Sequence, residues 1–217
     1  MKLDPRTEYQ DGETAEVYDA KRFRSLSGRL FQRSERRVLQ RVLKTLPAGS
    51  LVLDAPCGTG RFQDLFLSAG LKTLGADISG QMIQVARKRT ERWPGRANFS
   101  RMDFVHVPLR GDAVNAVFSI RFLVHFGSEE RVAMLREFRR VAQCKVIISL
   151  SLSNPWMRIR RKVKELLGHD KPVRHPATNR EIERELKQAG LREVQRFWTV
   201  PFLSEQIFIV CVPIEKT

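Results

Sequence analysis

The stretch Leu51-Val-Leu-Asp54-Ala-Pro-Cys-Gly58-Thr-Gly60-Arg-Phe62 puts an acidic side chain at the end of a short apolar run and two glycines in the turn after it. Small residues there let the backbone approach a ligand closely. A second carboxylate, Asp77, ends the next apolar run, where it can accept hydrogen bonds from a ribose diol. A glycine pair alone often serves only packing. Its place after a first strand, before a helix and near a second strand-end carboxylate points instead to a nucleoside-containing ligand. Dinucleotides and S-adenosylmethionine (SAM) both carry such a ribose. The dinucleotide pattern G-x-G-x-x-G/A fails here: counted from Gly58 its last position is Gln63, and counted from position 56 it opens with Pro56. A pyrophosphate is therefore disfavoured.

Holding these groups together requires strands that deliver their C-terminal ends to one edge. Short β-like apolar runs alternate with longer helical stretches, which implies βαβ units and a parallel sheet. Strands are predicted at 51–55, 72–77, 97–101, 113–120, 145–150, 193–200 and 206–212. Helices are predicted at 61–69, after an N-capping Ser79 with Met82, Ile83, Val85 and Ala86 inward, at 128–141 and at 179–189. The last has Thr178 and Glu181 in capping-box spacing and Gly190 at its end. Only 201–205 separate the last two strands, so they should pair as a hairpin. The predicted fold is one α/β domain over 1–217, a Rossmann-like, seven-stranded, mostly parallel sheet with a C-terminal antiparallel hairpin and helices on both faces. An N-terminal helical cap occupies 1–47, with Val38, Leu39, Val42, Leu43 and Leu46 on one face of a helix around 34–46.

On these residues the chain resembles the class I SAM-dependent methyltransferases, in the subgroup acting on small molecules and lipids, over roughly 52–150. Their first motif, D-x-G-C-G-T-G, is matched by Asp54-Ala-Pro-Cys-Gly-Thr-Gly60 except at Pro56, which removes an N–H and fixes φ. The resemblance implies SAM as cofactor. Asp54 would then orient its methionine moiety, with the backbone of Ala55, Gly58 and Gly60 beside it. Asp77 would hold the ribose hydroxyls, Ile78 and Met82 would line the adenine side, and Asp103-Phe104 would reach the adenine amino group. Ser119 and Ile120 would lie by the sulfonium and the acceptor. Tyr18 belongs to a segment resembling the one that closes over SAM, where its ring could meet the sulfonium by cation–π attraction or could instead staple a helix. Of the titratable groups, His125 is best placed as general base, although a histidine after a strand also has structural uses. Cys57 has no partnered base in view.

The 217 residues carry a formal charge of +15. Nucleic acid, an anionic membrane or a phosphorylated substrate would each complement it, and Arg-rich solvated helix faces would also produce it. The segment 154–168, in a basic insertion at 151–177, reads as a basic amphipathic helix. That pattern suits either a lid or peripheral contact with an anionic membrane. Three dispersed cysteines, no apolar signal core and no run of roughly 18 apolar residues lead us to expect a cytoplasmic protein, alone or peripheral at a membrane. The expected function is methyl transfer from SAM to a small-molecule or lipid-like acceptor at O, N or C. The alternatives are an RNA methyltransferase, motivated by Arg87-Lys-Arg89, Arg92, Arg96 and Arg101, and a catalytically silent SAM-binding regulatory subunit, hinted at by Pro56.

Overall fold

The computed structural model describes residues 26–153, 156, 175–200 and 204–214. Tyr18 and, apart from Trp156, the basic stretch 154–168 lie outside the described residues. In chain order the elements are α1 (Leu26–Leu43), β1 (Leu51–Asp54), α2 (Gln63–Ser68), β2 (Lys72–Asp77), α3 (Gly80–Thr90), β3 (Ala97–Arg101) and β4 (Val114–Ser119). A 3-10 turn (Leu123–His125) follows, then α4 (Ser128–Val141), β5 (Ala142–Ser151), α5 (Asn179–Gln188), β6 (Leu191–Trp198) and β7 (Gln206–Pro213).

The sheet order is β3-β2-β1-β4-β5-β7-β6. β1 to β5 run parallel, and β7 inserts antiparallel between β5 and β6. This is the predicted mostly parallel sheet with its terminal hairpin. The order reverses at β1, between β2 on one side and β4 on the other, so a crevice forms beyond the C-terminal ends of these strands, where ligands of open α/β sheets bind.

Successive side chains of a strand point to opposite faces, and the core divides accordingly. Val52 and Phe118 pack with Leu39 of α1 and Phe66 of α2. Leu53 and Val117 pack with Phe138 of α4 and Leu186 of α5. Between α4 and α5, Arg131 Nε and Nη2 donate to the two oxygens of Glu185 at 2.9 and 2.6 Å, both side chains being buried. Arg131 Nη1 also donates to the carbonyls of Phe126 and His175, so a charge pair costly to bury is multiply bonded.

Several boundaries depart from the sequence reading, β6 for one lying at Leu191–Trp198 rather than 193–200. The helix predicted at 61–69 forms only over Gln63–Ser68, because 57–63 first close two turns, Gly60 N–H to Cys57 O and Gln63 N–H to Gly60 O. The N-terminal helix begins at Leu26 rather than near 34. Ser34 bonds back to Leu30 O at 3.1 Å, as serine does inside a helix. β5 starts at Ala142, directly where α4 ends. The caps match the prediction: Ser79 Oγ accepts from Met82 N–H, and Thr178 and Glu181 form a reciprocal capping box.

Candidate cofactor and acceptor site

Parallel pairing brings the ends of β1, β2 and β4 to one edge, with Asp54 opposite Gly75 and Phe118. Asp54 is buried, and Gln63 Nε2 donates to its Oδ2 at 2.8 Å. Burial, opposed by the Gln63 bond, pushes its carboxyl up to about 7. Asp77 is buried beside it and accepts two backbone N–H groups, Gly58 on Oδ2 and Ser79 on Oδ1, each at 2.9 Å. Burial raises its carboxyl too, against those bonds. The Gly58 contact ties the glycine turn to the tip of β2, so the two motifs form one structure.

The two glycines do different work. Gly58 has φ +52°, and a Cβ there would meet nothing within 4 Å, leaving the turn open to a ligand. Gly60 has φ +76°, and its Cβ would lie 2.9 Å from Ala86 Cα and Cβ, so this glycine lets the turn press against α3. The Ala55 N–H donates to Phe118 O at 2.8 Å, locking the start of the turn to β4. Burial and the neighbouring carboxylates push the Cys57 thiol up, which keeps it from being a thiolate.

The other sequence-predicted residues differ in burial. Ser119 ends β4 fully buried, and its Oγ has no hydrogen-bond partner among the described residues. Ile78 is half-buried at the tip of β2, and His125 is half-buried in the 3-10 turn after β4. Asp103 is exposed and accepts from Val105 N–H at 3.1 Å in a local turn. Met82 and Phe104 are buried, and Phe104 packs its ring against Phe122 and Phe138 at centroid distances of 5.3 and 6.1 Å.

Three residues at this edge escaped the sequence reading. Glu35 of α1 is fully buried and accepts from Arg121 Nε at 2.6 Å, Gln206 Nε2 at 2.9 Å and Arg61 Nη2 at 3.1 Å. It thereby joins α1, the turn after β1, the end of β4 and the start of β7. Arg121 holds φ +59°, a conformation unfavourable without glycine, with its N–H on Ser149 Oγ at 2.7 Å and its guanidinium 4.9 Å from the Phe31 ring. A signal existed: Glu35 precedes Val38 and Leu39 by three and four residues, on the apolar face of its helix, where a carboxylate needs partners. Gln63, which bonds Asp54, gave none beyond its position.

Residues 52–144 match the family described as "Methyltransferase domain". The tRNA (carboxymethyluridine(34)-5-O)-methyltransferase of Xenopus tropicalis is 36% identical over 102 residues, which are 46% of this chain and 15% of that protein. The magnesium-protoporphyrin O-methyltransferase of Synechocystis is 26% identical over 130 residues, 58% of this chain and 55% of that protein. The chain thus spans well under two thirds of the length of either. Among solved structures, the Synechocystis magnesium protoporphyrin IX methyltransferase with bound S-adenosylhomocysteine superposes with a TM-score of 0.77 at 17% identity, covering 95% of this chain and 99% of that one. The same enzyme has also been solved with bound SAM.

Proposed function

We propose that this chain, which carries a methyltransferase domain with the class I SAM-dependent fold, binds SAM across the ends of β1 and β2 and methylates an oxygen of an acceptor held at the end of β4. The observation that carries the reading is the pair of buried carboxylates, Asp54 and Asp77, flanking the open face of Gly58. Burial disfavours their ionised forms, so a ligand that ionises them must bring positive charge or hydrogen-bond donors. SAM fits, having an ammonium group, a sulfonium and a ribose diol.

When bound, SAM supplies a methyl group already activated by its positive sulfur. Asp54 would accept from the ammonium group. Asp77, with one backbone N–H on each oxygen, keeps lone pairs for the two ribose hydroxyls. Ser119 offers a buried hydroxyl, without a hydrogen-bond partner among the described residues, at the end of β4. The chain's remaining task is to align the acceptor and exclude water.

Oxygen is proposed because the two relatives, one acting on tRNA and one on magnesium-protoporphyrin, are both named for O-methylation. A carboxylate acceptor is ionised at neutral pH and needs no base; a hydroxyl acceptor would draw on His125. Labelled SAM incubated with the purified chain and fractionated extract tests this. A carboxylate acceptor gives label released as methanol by mild alkali, and His125→Gln leaves the rate within about threefold. Label found only on nitrogen or carbon would refute it.

A further inference from the structure

Beside the glycine turn, on the face built by α1, α2 and α3, lies a groove of about 400 Å³ lined by Gln32, Arg36, Gly60, Arg61, Asp64, Arg89 and Arg92. Its lining holds four guanidiniums and one carboxylate: Arg36 engages that carboxylate, Asp64, at 2.9 Å, and Arg61 engages the buried Glu35 at 3.1 Å. From its α3 side the basic surface continues over the exposed side chains of Arg87, Lys88 and Arg92, none of which pairs with a carboxylate among the described residues. Arg87 lies 5.7 Å from the Phe99 ring, and Arg92 and Arg96 lie 5.8 and 5.3 Å from the Trp93 ring. Guanidiniums rested on rings are partly ordered before any anion arrives, so less entropy is lost on pairing.

We propose that this groove and the outer face of α3 dock the phosphodiester backbone of an RNA whose modified group enters the site. The inference rests on the methyl-transfer reading above and names the class of its substrate. Three observations favour a phosphodiester chain, and the likeness to a tRNA methyltransferase makes RNA the one proposed. The surface is concave and cationic, which suits a chain of phosphates. Among the described residues the exposed large apolar side chains, Leu30, Trp156, Val194, Trp198 and Ile214, do not line the groove, whereas a membrane-binding face needs apolar residues among its cations. And Gly60 is shared by the groove and the cofactor turn, so a polyanion lying here is led to the site.

Fluorescence anisotropy with bulk tRNA, read from 50 to 200 mM salt, tests the proposal. The variant Arg87→Gln/Lys88→Gln/Arg92→Gln should bind about tenfold or more weakly at low salt, with a log–log salt slope shallower by about 2 to 3. The control Arg184→Gln/Lys187→Gln/Arg192→Gln removes equal charge from exposed positions on α5 and β6, at the sheet edge opposite β3, and should bind as the wild type does. Equal weakening by both variants, no tRNA binding, or binding to vesicles of phosphatidylcholine and phosphatidylglycerol in place of tRNA would overturn it. SAM calorimetry on the same proteins keeps the two readings apart: the groove variant should retain wild-type SAM affinity, and a wild type that binds tRNA without binding SAM would defeat the methyl-transfer reading instead.

Discussion

At the scale of the residue, Asp54 has two measurable consequences. Its carboxyl, about 7 in the folded chain, must lose its proton to hold an ammonium group. SAM affinity should therefore fall by up to about tenfold per pH unit below 7 and level off above it. Calorimetry between pH 5.5 and 8.5 reads this, and Asp54→Asn should bind more weakly, without the step near pH 7. The second consequence concerns the protein without ligand. A carboxyl raised from 3.8 to about 7 on folding binds its proton more tightly in the native state, so the stability it gives is full below its unfolded value and is lost as pH rises through its folded one. The loss approaches about 4 kcal/mol by pH 8 as an upper bound. Asp54→Asn should escape it, so the variant's stability relative to wild type should rise between pH 5 and pH 8 in urea unfolding. The carboxylates and glycines were legible in the sequence because their chemistry is local to strand ends. The burial that shifts Asp54 was not, since Gln63 and the neighbouring strands produce it.

At the scale of the element, the glycine turn does two jobs with two residues. Gly60→Ala would push a Cβ to 2.9 Å from Ala86 on a backbone of φ +76°, and should destabilise the fold by about 2 kcal/mol or more. Gly58→Ala meets no atom within 4 Å, so it should cost only the left-handed strain of about 1 kcal/mol while crowding the ligand face. Thermal melts and SAM titrations of the pair should thus diverge, Gly60→Ala losing mainly stability and Gly58→Ala mainly affinity. The Arg131–Glu185 pair joins α4 to α5 as Glu35 joins four segments, and in neither case does periodicity name the partners, because each lies far away along the chain. Arg131→Met strands a buried carboxylate and should cost about 3–5 kcal/mol, whereas Arg131→Met/Glu185→Leu should recover most of it in denaturant unfolding.

At the scale of the whole molecule, the alternation of apolar runs was enough to place all seven strands along the chain and to predict the hairpin, while their order in the sheet emerges only from the fold. It did not say where helices begin. α1 extends to Leu26 on residues whose pattern is mostly polar, and α2 waits for the turn to close. Among the described residues no helix is long and apolar enough to cross a membrane. Part of the net charge of +15 was legible as the run Arg87-Lys-Arg89, Arg92, Arg96 and Arg101; that Arg89 and Arg92 meet Arg36 and Arg61 beside the glycine turn was not, because those two lie elsewhere along the chain. What unites these scales is the proposed ligand, one carrying a ribose and positive charge, at the ends of β1 and β2. Titration calorimetry of SAM into wild type and Asp77→Ala tests that most directly. The expected result is that wild type binds SAM and does not bind NADH, while a folded Asp77→Ala binds SAM about 10 to 100 times more weakly, the loss of a charge-assisted bond. Equal SAM affinity in the two proteins, or NADH binding as tightly as SAM, would contradict it.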